Sequence, residues 1–461
     1  MAACDCLRII WAALGAPAAA LERAAFTGEG ALPALFAVTD LAAGSVAAAG
    51  LALAELAALR RAAPASVTVD RRLAAFWFAS SVRPIGWTVP APWDPIAGDY
   101  ETRDGWIRLH TNAPHHRAAA ERVLGTQSDR AGMAAAVARW TKADLEAAVL
   151  AEGGCAAEMR SLAAWLAHPQ GVAVAAEPLV AAIGEAASGR TRWRPTRERP
   201  LNGLRVLDLT RVLAGPVATR FLAGYGAAVL RIDPPGWDEP ALVPDITAGK
   251  ACARLDLRDA EERARFEALL AGADILLHGY RPGALEHLGY GEAARRALAP
   301  GLIDVRLDAY GWTGPWAGRR GFDSLVQMSA GIAEAGQAWR GADRPVPLPV
   351  QALDHATGYI LAATALRGLH RREAEGSALT ARLSLARTAK LLTDAGPQGP
   401  EPPLAPETEA DLDAATEATA WGPARRLRSP LVVGALPMRF ARPARTLGSA
   451  PARWADAESA D

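Results

Sequence analysis

The 461-residue sequence lacks an excess of charge of either sign, because 50 Lys and Arg residues balance 50 Asp and Glu residues. A chain with a pI near 7.1 produces no overall field that would attract nucleic acid or an acidic membrane surface. Aromatic residues are also few, at 6%, but 51% of residues are hydrophobic, which indicates a folded chain rather than a disordered one. At roughly 100–200 residues per domain, the length predicts two or three domains. We expect no nucleic-acid partner.

The sequence also has little cysteine, and none of it is spaced as the C-x-x-C pairs of structural zinc sites. The four residues are Cys4, Cys6, Cys155 and Cys252. They are expected to be reduced thiols of a cytoplasmic protein. The one histidine cluster, His110 with His115 and His116, has no neighbouring pattern of acidic ligands. We therefore expect no metal site.

A long, strongly apolar run is missing too. The longest apolar stretch, Leu41–Leu59, is rich in alanine and glycine and is interrupted by Glu55. A membrane span needs about 20 strongly apolar residues. The stretch therefore predicts a buried helix, and we expect no membrane partner.

The fold class predicted is α/β, with a Rossmann-like parallel sheet domain and a smaller α+β domain. Changes in pattern divide the chain into these parts: 1–95, a helical segment with a first aspartate helix; 96–186, the small domain; 187–200, a linker; 201–345, the sheet domain; 346–395, a second aspartate helix; 396–428, a flexible linker; and 429–461, a C-terminal tail.

The sheet domain is predicted from alternating strands and helices. The expected strands are Leu204–Leu209, Ala228–Ile232, Asp274–His278 and Leu302–Leu307, and the expected helices are Gly215–Tyr225, Ala260–Ala271 and Pro282–Leu288. In the small domain, Tyr100–Asn112 alternates as a hairpin with Asp104-Gly105 at its turn.

The two aspartate helices belong to an internal repeat. Residues 32–74 resemble residues 348–386, and each copy has an aspartate, a glycine four residues later, an Ala/Leu-rich helix, two arginines and a short β-like run. Asp40 corresponds to Asp354, and Gly44 to Gly358. This shared order predicts a duplication whose two helices lie near a pseudo-twofold axis.

Three positions in the second half are candidates for ligand chemistry. Thr210–Pro216 follows the first strand and opens a helix, which suits a phosphate or serves only as a connection. A G-x-G-x-x-G fingerprint is absent there, so a dinucleotide is not favoured. Tyr280–Gly283 and Tyr310–Pro315 follow later strands and should meet the same crevice, unless they are ordinary turns. Asp354, at the start of an apolar helix, is either an N-cap or a nucleophile.

Four ordered motifs resemble the class III CoA-transferase family, which includes formyl-CoA and carnitine-CoA transferases and α-methylacyl-CoA racemases. They are Leu201–Pro235, Tyr280–Gly283, Tyr310–Pro315 and Gln351–Gly358. Residues 98–180 resemble the family's small domain, and Leu431–Arg445 its C-terminal tail. Here, however, an aspartate helix and a small domain precede the sheet domain, as in a tandem fusion that has lost some parts.

The resemblance implies an acyl-CoA:carboxylate CoA-transferase that acts through a covalent aspartyl intermediate. Its substrates would be an acyl-CoA and a carboxylic acid, with no tightly bound cofactor, and the protein would be a homodimer. Asp354 matches the catalytic aspartate. The expected CoA contacts are Val212, Leu213, Ala214, Gly215, Lys250, Tyr280, Arg281 and Gly311.

Some positions depart from the family. Phe322 stands where a racemase would need a histidine, although His355 lies beside Asp354. A position that is often arginine is His287, and the small-domain segment contains no glycine-rich lid. Asp40 is interpreted as a structural relic. A racemase and a non-catalytic CoA-binding protein stay open as alternatives.

Overall fold

The computed structural model describes residues 1–61, 63–187 and 192–454. The N-terminal segment contains α1 (Ala3–Ala13), β1 (Ala24–Thr27), α2 (Val38–Ala58), β2 (Val67–Asp70), α3 (Arg71–Trp77) and β3 (Val82–Pro84). The next segment contains β4 (Gly98–Thr102), β5 (Gly105–Leu109), α4 (Pro114–Leu124), α5 (Arg130–Val137), α6 (Lys142–Ala151), β6 (Ala156–Glu158), α7 (Leu162–Ala167), α8 (Pro169–Ala176) and β7 (Ala181–Ala187).

The second half begins with β8 (Arg205–Leu209), α9 (Ala214–Gly224), β9 (Ala228–Asp233), α10 (Val243–Ile246), β10 (Lys250–Arg254), α11 (Ala260–Ala271), β11 (Ile275–His278), α12 (Ala284–His287), α13 (Glu292–Leu298) and β12 (Ile303–Asp308). It continues with α14 (Asp323–Ser329), α15 (Ile332–Arg340), α16 (Ala352–Glu375), β13 (Ser377–Ser384), α17 (Leu385–Asp394), β14 (Leu412–Thr419), β15 (Gly422–Leu427) and β16 (Leu431–Val433). Short 3₁₀ turns lie at Ala18–Arg23 and Glu409–Asp411.

A seven-stranded sheet of order β10-β9-β8-β11-β12-β13-β7 forms the centre of the second half. Every neighbouring pair is parallel except β13 and β7. All four residues of β11 are buried, as expected for a parallel strand covered on both faces. The predicted α/β fold with a Rossmann-like sheet is therefore confirmed, although β10 was not anticipated.

The small domain contains the predicted hairpin. β4 pairs antiparallel with β5, with Thr102 opposite Gly105 across the turn. β6 extends this sheet beside β5, and α5 and α6 place Met133, Val137, Leu145 and Val149 in the core beneath it. The hairpin matters for the site because β5 ends at the histidine cluster.

The segment 396–428 is not simply a flexible linker, so this prediction is wrong. β14 and β15 form an antiparallel hairpin within it, and β15 also pairs with β3 of the N-terminal segment. In the tail, β16 pairs with β2. Of the predicted linker 187–200, residues 188–191 lie outside the described residues; beyond them, Trp193 is buried and its indole N–H donates to the Pro200 carbonyl.

The two repeat copies are built on the same plan. Each consists of a long helix, a strand and a second helix: α2, β2 and α3 in the first, and α16, β13 and α17 in the second. β2 lies between a parallel strand and an antiparallel one, as does β13. The residues that precede the long helices, Ala37 and Gln351, adopt nearly the same backbone angles, φ −73°, ψ 65° and φ −76°, ψ 65°.

The long helix α2 packs along α16 and α1 in the protein interior. It is apolar and long enough to cross a membrane, but 89% of its most apolar window is buried inside the protein. Small residues allow this close packing. A Cβ at Gly44 would lie 3.0 Å from the backbone oxygen of Ala3 on α1. The predicted buried helix at Leu41–Leu59 is therefore confirmed.

Candidate active site

Asp354 lies in the first turn of α16, close to the carboxyl ends of the parallel strands. Its side chain is buried, with 6% of the residue exposed. It lines a cavity of about 400 Å³ together with Leu209, Gly279 and Leu307, which follow or end β8, β11 and β12. Ligands in open α/β sheets bind at this edge. We call this space the sheet-edge cavity.

Asp354 also lines a second space of about 270 Å³, the middle cavity. Asp354, Val212, Trp237 and Phe322 lie on the walls of both cavities. The small domain closes both, since His115 and His116 line the first and His110 lines the second. The carboxyl group therefore stands between two adjoining chambers.

The sheet-edge cavity is electropositive. Arg211, Arg281 and Arg320 line it. The Arg211 guanidinium lies 4.9 Å from the ring centre of Trp237 and 5.2 Å from that of Tyr280, so two aromatic faces hold it in place. Burial, and then the positive charge of Arg320, lower the pKa of Arg281. This grouping suits an anionic ligand that carries phosphates.

The carboxyl groups on this wall are Asp308 and Asp354. Burial raises the pKa of Asp308 to about 7, and the charge of Glu177 acts in the same direction. Burial also raises the pKa of Asp354, and a higher pKa in both groups weakens their opposition to the arginines.

Five of the sequence-predicted residues meet in the sheet-edge cavity. These are Val212, Ala214, Tyr280, Arg281 and Asp354. The backbone N–H of Val212 already donates to Glu239 Oε1 at 2.5 Å. The positive φ of Val212, 63°, is rare for a β-branched residue. The Val212 N–H is therefore already used within the turn. The positive charge available to an anionic ligand comes from the arginine side chains.

The other four predicted contacts do not line the sheet-edge cavity. Lys250 is fully buried, and its ammonium group donates to Asp208, Thr219 and the Pro216 carbonyl. No ammonium hydrogen is left for a ligand. Gly215 packs against Thr210, since a Cβ there would lie 2.2 Å from the Thr210 Cβ.

Leu213 and Gly311 likewise do not line the sheet-edge cavity. Leu213 lines a neighbouring cavity of about 1000 Å³, which we call the outer cavity. Gly311 adopts φ 103° and lies against Val174 and Glu177 of the small domain. Its loop joins the two domains instead of lining the sheet-edge cavity.

Sequence reasoning missed Arg211, Arg320 and Trp237. Arg211 stands inside the Thr210–Pro216 turn, so its position beside the predicted phosphate site was a usable signal. Trp237 follows the second strand in the same way. Arg320 had no such signal, because only the folded chain brings its loop back to the cavity, where it donates to the Gly153 carbonyl at 2.6 Å.

A second aspartate fixes the start of α16. Asp323 Oδ2 accepts hydrogen bonds from the backbone N–H groups of Leu353, at 2.9 Å, and Asp354, at 3.0 Å. Gln327 donates to Oδ1 of the same carboxylate at 2.5 Å. Asp323 therefore takes the capping role, so the Asp354 side chain is not required as the cap.

This pairing perturbs both carboxyl groups. Burial, and secondly the negative charge of Asp323, raise the pKa of Asp354 well above its ordinary value. Burial raises the pKa of Asp323 to about 6, against the opposing effect of its hydrogen bonds. Perturbed acids in a cavity mark functional sites. Once ionised, Asp354 is a poorly hydrated carboxylate suited to nucleophilic attack.

The equivalent site in the first repeat is blocked. Asp40 Oδ1 accepts from Nε and Nη2 of Arg71 at 3.0 and 2.8 Å, and Arg71 also pairs with Glu401 at 3.0 Å. In the second copy the position of Arg71 is taken by Leu385, which follows the N-cap Ser384 as Arg71 follows the N-cap Asp70. An ion pair thus holds the Asp40 carboxylate, which supports its interpretation as a relic.

The histidines near Asp354 are neutral and stacked. The His110 ring lies 3.8 Å from that of Phe322, and His355 stacks on Phe78 at 4.9 Å. Burial lowers the pKa of each histidine to about 3. His355 faces the outer cavity. Among the described residues no group of three or more metal-ligating side chains is found.

Comparison with known proteins finds similarity to a family of CoA-transferases. The model of CoA-transferase family III matches residues 201–403. A probable fatty acyl-CoA transferase of Mycobacterium tuberculosis, Rv3272, is 34% identical over 194 residues, which are 39% of this chain and 49% of the relative. The succinyl-CoA–D-citramalate CoA-transferase of Chloroflexus aurantiacus is 34% identical over 193 residues, 39% and 47% of the two chains.

A solved structure is also similar to part of this chain. The orthorhombic crystal structure of Rv3272 is 34% identical and covers 44% of this chain and 58% of that one, with a TM-score of 0.40. The chain spans about half the length of the curated relatives it matches. The motifs and the family model agree, and residues 201–403 are similar to CoA-transferase family III.

Proposed function

We propose that the protein transfers coenzyme A from an acyl-CoA to a carboxylic acid, with Asp354 as the nucleophile. The observation that carries this proposal is the position of Asp354, which is buried on the wall shared by the arginine-lined sheet-edge cavity and the middle cavity. A thioester must place its anionic nucleotide on one side of the reacting carbon and its acyl group on the other. The relatives named above are CoA-transferases.

The sheet-edge cavity would hold the CoA part of the substrate. Its phosphates suit Arg211, Arg281 and Arg320, and its adenine suits the face of Tyr280. Coenzyme A is a substrate here, and the reaction needs no resident cofactor. The acyl group would then point past Asp354 into the middle cavity.

The reaction would proceed through covalent steps at Asp354. A carboxylate oxygen attacks the thioester carbonyl, the C–S bond breaks, and CoA leaves as a thiolate. The product on the enzyme is a mixed anhydride. The thiolate then attacks the Asp354 carbonyl carbon and expels the donor carboxylate, which gives an aspartyl-CoA thioester.

The second half of the reaction returns the enzyme to its starting state. The acceptor carboxylate attacks the aspartyl thioester and releases the thiolate, and the thiolate takes the acceptor acyl group from the resulting anhydride. Asp354 is regenerated as a carboxylate. The first-turn N–H groups of α16 favour negative charge at this position.

Racemisation is the weaker alternative. It needs two groups that exchange a proton on opposite faces of a carbon, whereas Phe322 has no titratable group and His355 faces the outer cavity. A non-catalytic CoA-binding role would not require a buried carboxyl group at the meeting point of two cavities.

The test is a transfer assay with several acyl-CoA donors and ¹³C-labelled carboxylic acids, read by mass spectrometry of the CoA thioesters. We expect labelled acyl-CoA from the wild-type protein and from the Asp40→Asn control, but not from Asp354→Asn. Binding of CoA without any transfer would support the non-catalytic alternative. Loss of the α-deuterium from a chiral acyl-CoA without transfer would support the racemase.

A further inference from the structure

The outer cavity adjoins the middle cavity directly. Trp93, Ala241, Asp323 and Gln351 lie on the walls of both. The middle cavity, which Asp354 lines, therefore leads from the Asp354 carboxyl group toward the outer cavity. A group attached to the reacting carbonyl can extend in this direction.

Three separate parts of the chain form the outer cavity. The N-terminal segment supplies residues between Phe78 and Pro95, and the small domain supplies Ala97 to Asp99, Arg108 and Arg130. The second half supplies the rest. The wall contains many proline and aliphatic side chains: Val82, Val89, Pro90, Pro92, Leu213, Leu242, Ile246, Pro347, Leu348, Pro349 and Val350. Such a wall favours an apolar occupant.

The charged groups on this wall already have partners. Arg117 donates to Asp94 at 3.0 Å, Arg108 to Asp99 at 2.7 Å, Arg426 to Asp245 at 2.9 Å, and Arg130 to the carbonyls of Ala97 and Asp99 at 2.9 and 3.1 Å. Asp323 accepts the two N–H bonds at the start of α16. The wall carries four carboxyl groups, Asp94, Asp99, Asp245 and Asp323, against the two guanidinium groups of Arg108 and Arg130. This excess of acids would repel a second carboxylate.

The volume of the outer cavity also favours a large ligand over a small one. Its volume is about 1000 Å³, at the upper end of the roughly 300–1,000 Å³ that drug-sized ligands occupy. An acid of a few carbon atoms would reach only the middle cavity and leave the apolar wall without contacts.

We propose that the outer cavity holds the hydrocarbon body of a large monocarboxylic acid, with on the order of ten or more carbon atoms. This inference rests on the proposed function of Asp354. Dicarboxylic acids and short acids are poor substrates, because the former bring an unpaired charge to the wall and the latter bury too little apolar surface.

The test compares straight-chain acceptor acids of four to twelve carbons, and the matching dicarboxylic acids, with one acyl-CoA donor. A buried methylene group changes affinity by about fourfold, so kcat/KM should rise at least 100-fold across the monocarboxylic series. A terminal carboxylate should lower it at least tenfold at equal length. A flat series, or preference for short or dicarboxylic acids, would overturn the inference and leave the proposed function standing.

Calorimetry provides a readout that needs no turnover. Dodecanoate should bind at least 100-fold more tightly than butanoate in the presence of CoA, whether or not transfer occurs, and equal affinities would refute the inference. Absence of transfer to every acid would refute only the proposed function.

A variant at the junction localises the effect. Ala241 borders both the middle and the outer cavities, so Ala241→Phe should lower the dodecanoate-to-butanoate ratio of kcat/KM and of affinity at least tenfold. Ala118→Phe, on the exposed face of α4, is the matched control and should leave both ratios unchanged. An unchanged ratio in a folded Ala241→Phe protein would place the acyl group elsewhere.

Discussion

Replacing Gly358 by alanine tests whether close packing of α16 on α9 shapes the sheet-edge cavity. A Cβ at this position would lie 2.5 Å from the Ala214 backbone oxygen and 2.9 Å from the Val217 Cβ. A backbone oxygen cannot rotate away, so the two helices must separate. Overpacking costs about 1–3 kcal/mol, and the better helix propensity of alanine offsets about 1 kcal/mol. We expect the free energy of unfolding to fall by up to about 2 kcal/mol.

The same change should weaken CoA binding, because Ala214 also lines the cavity. A shift of α9 should raise the CoA dissociation constant, because it moves the Ala214 wall of the cavity. Urea denaturation measures the stability, and calorimetry measures the affinity.

The repeat supplies a matched control in Gly44→Ala. A Cβ at Gly44 would lie 2.8 Å from the Cys6 Cβ and 3.0 Å from the Ala3 oxygen, but α1 contributes nothing to the walls of the sheet-edge cavity. Stability should fall while CoA affinity stays at the wild-type value. Wild-type stability and affinity in Gly358→Ala, or an equal loss of affinity in Gly44→Ala, would refute this reasoning.

Three further substitutions test the electrostatics of the site. Arg281→Ala should weaken CoA binding at least tenfold, as a charge-assisted contact to phosphate is lost; unchanged affinity in calorimetry would count against this placement. Asp323→Asn removes the negative charge that, after burial, raises the pKa of Asp354, so the acidic limb of the adduct-formation rate should move to lower pH. A limb that stays in place or moves to higher pH contradicts that cause. Arg71→Leu leaves Asp40 buried without its cation, so the free energy of unfolding should fall by about 2–4 kcal/mol at pH 7. CoA transfer should be unchanged. An unchanged midpoint of chemical denaturation would show that the ion pair is not stabilising.

The parallel sheet was predictable because its strands are short apolar runs bounded by turns. β8, β9, β11 and β12 lie within one or two residues of the expected bounds. β10 was harder to recognise, since Lys250 and Arg254 stand at its two ends and Cys252 in its middle. The hairpin β14–β15 was missed for a related reason, because its charged and threonine-rich strands resemble an exposed linker.

The candidate site was predictable where one motif carries both position and chemistry. Asp354 and the loop of Tyr280 and Arg281 meet at one cavity, as parallel strands bring their carboxyl ends together. Lys250 lies outside this cavity, which the sequence does not reveal because it shows the charge of Lys250 but not its burial. Asp208, which neutralises it, is 42 residues away along the chain.

Contacts between residues far apart in the second half could not be read from the sequence. Asp323 reaches α16 across 31 residues, and Glu239 captures the Val212 N–H across 27. Arg71 in the first repeat and Leu385 in the second occupy equivalent positions, and this difference becomes visible only when the two repeats are compared residue by residue. The homodimer and the cytoplasmic location stay predictions.

The most direct test of the central claim is to locate the covalent adduct. Wild-type protein mixed with acyl-CoA and trapped with hydroxylamine should carry a hydroxamate at Asp354, as found by peptide mass spectrometry. The Asp40→Asn protein should give the same adduct. Asp354→Asn should give none and lose turnover by several orders of magnitude while its unfolding midpoint barely changes, because Asp323 already caps the helix. A hydroxamate at Asp40, or wild-type turnover by Asp354→Asn, would contradict the assignment.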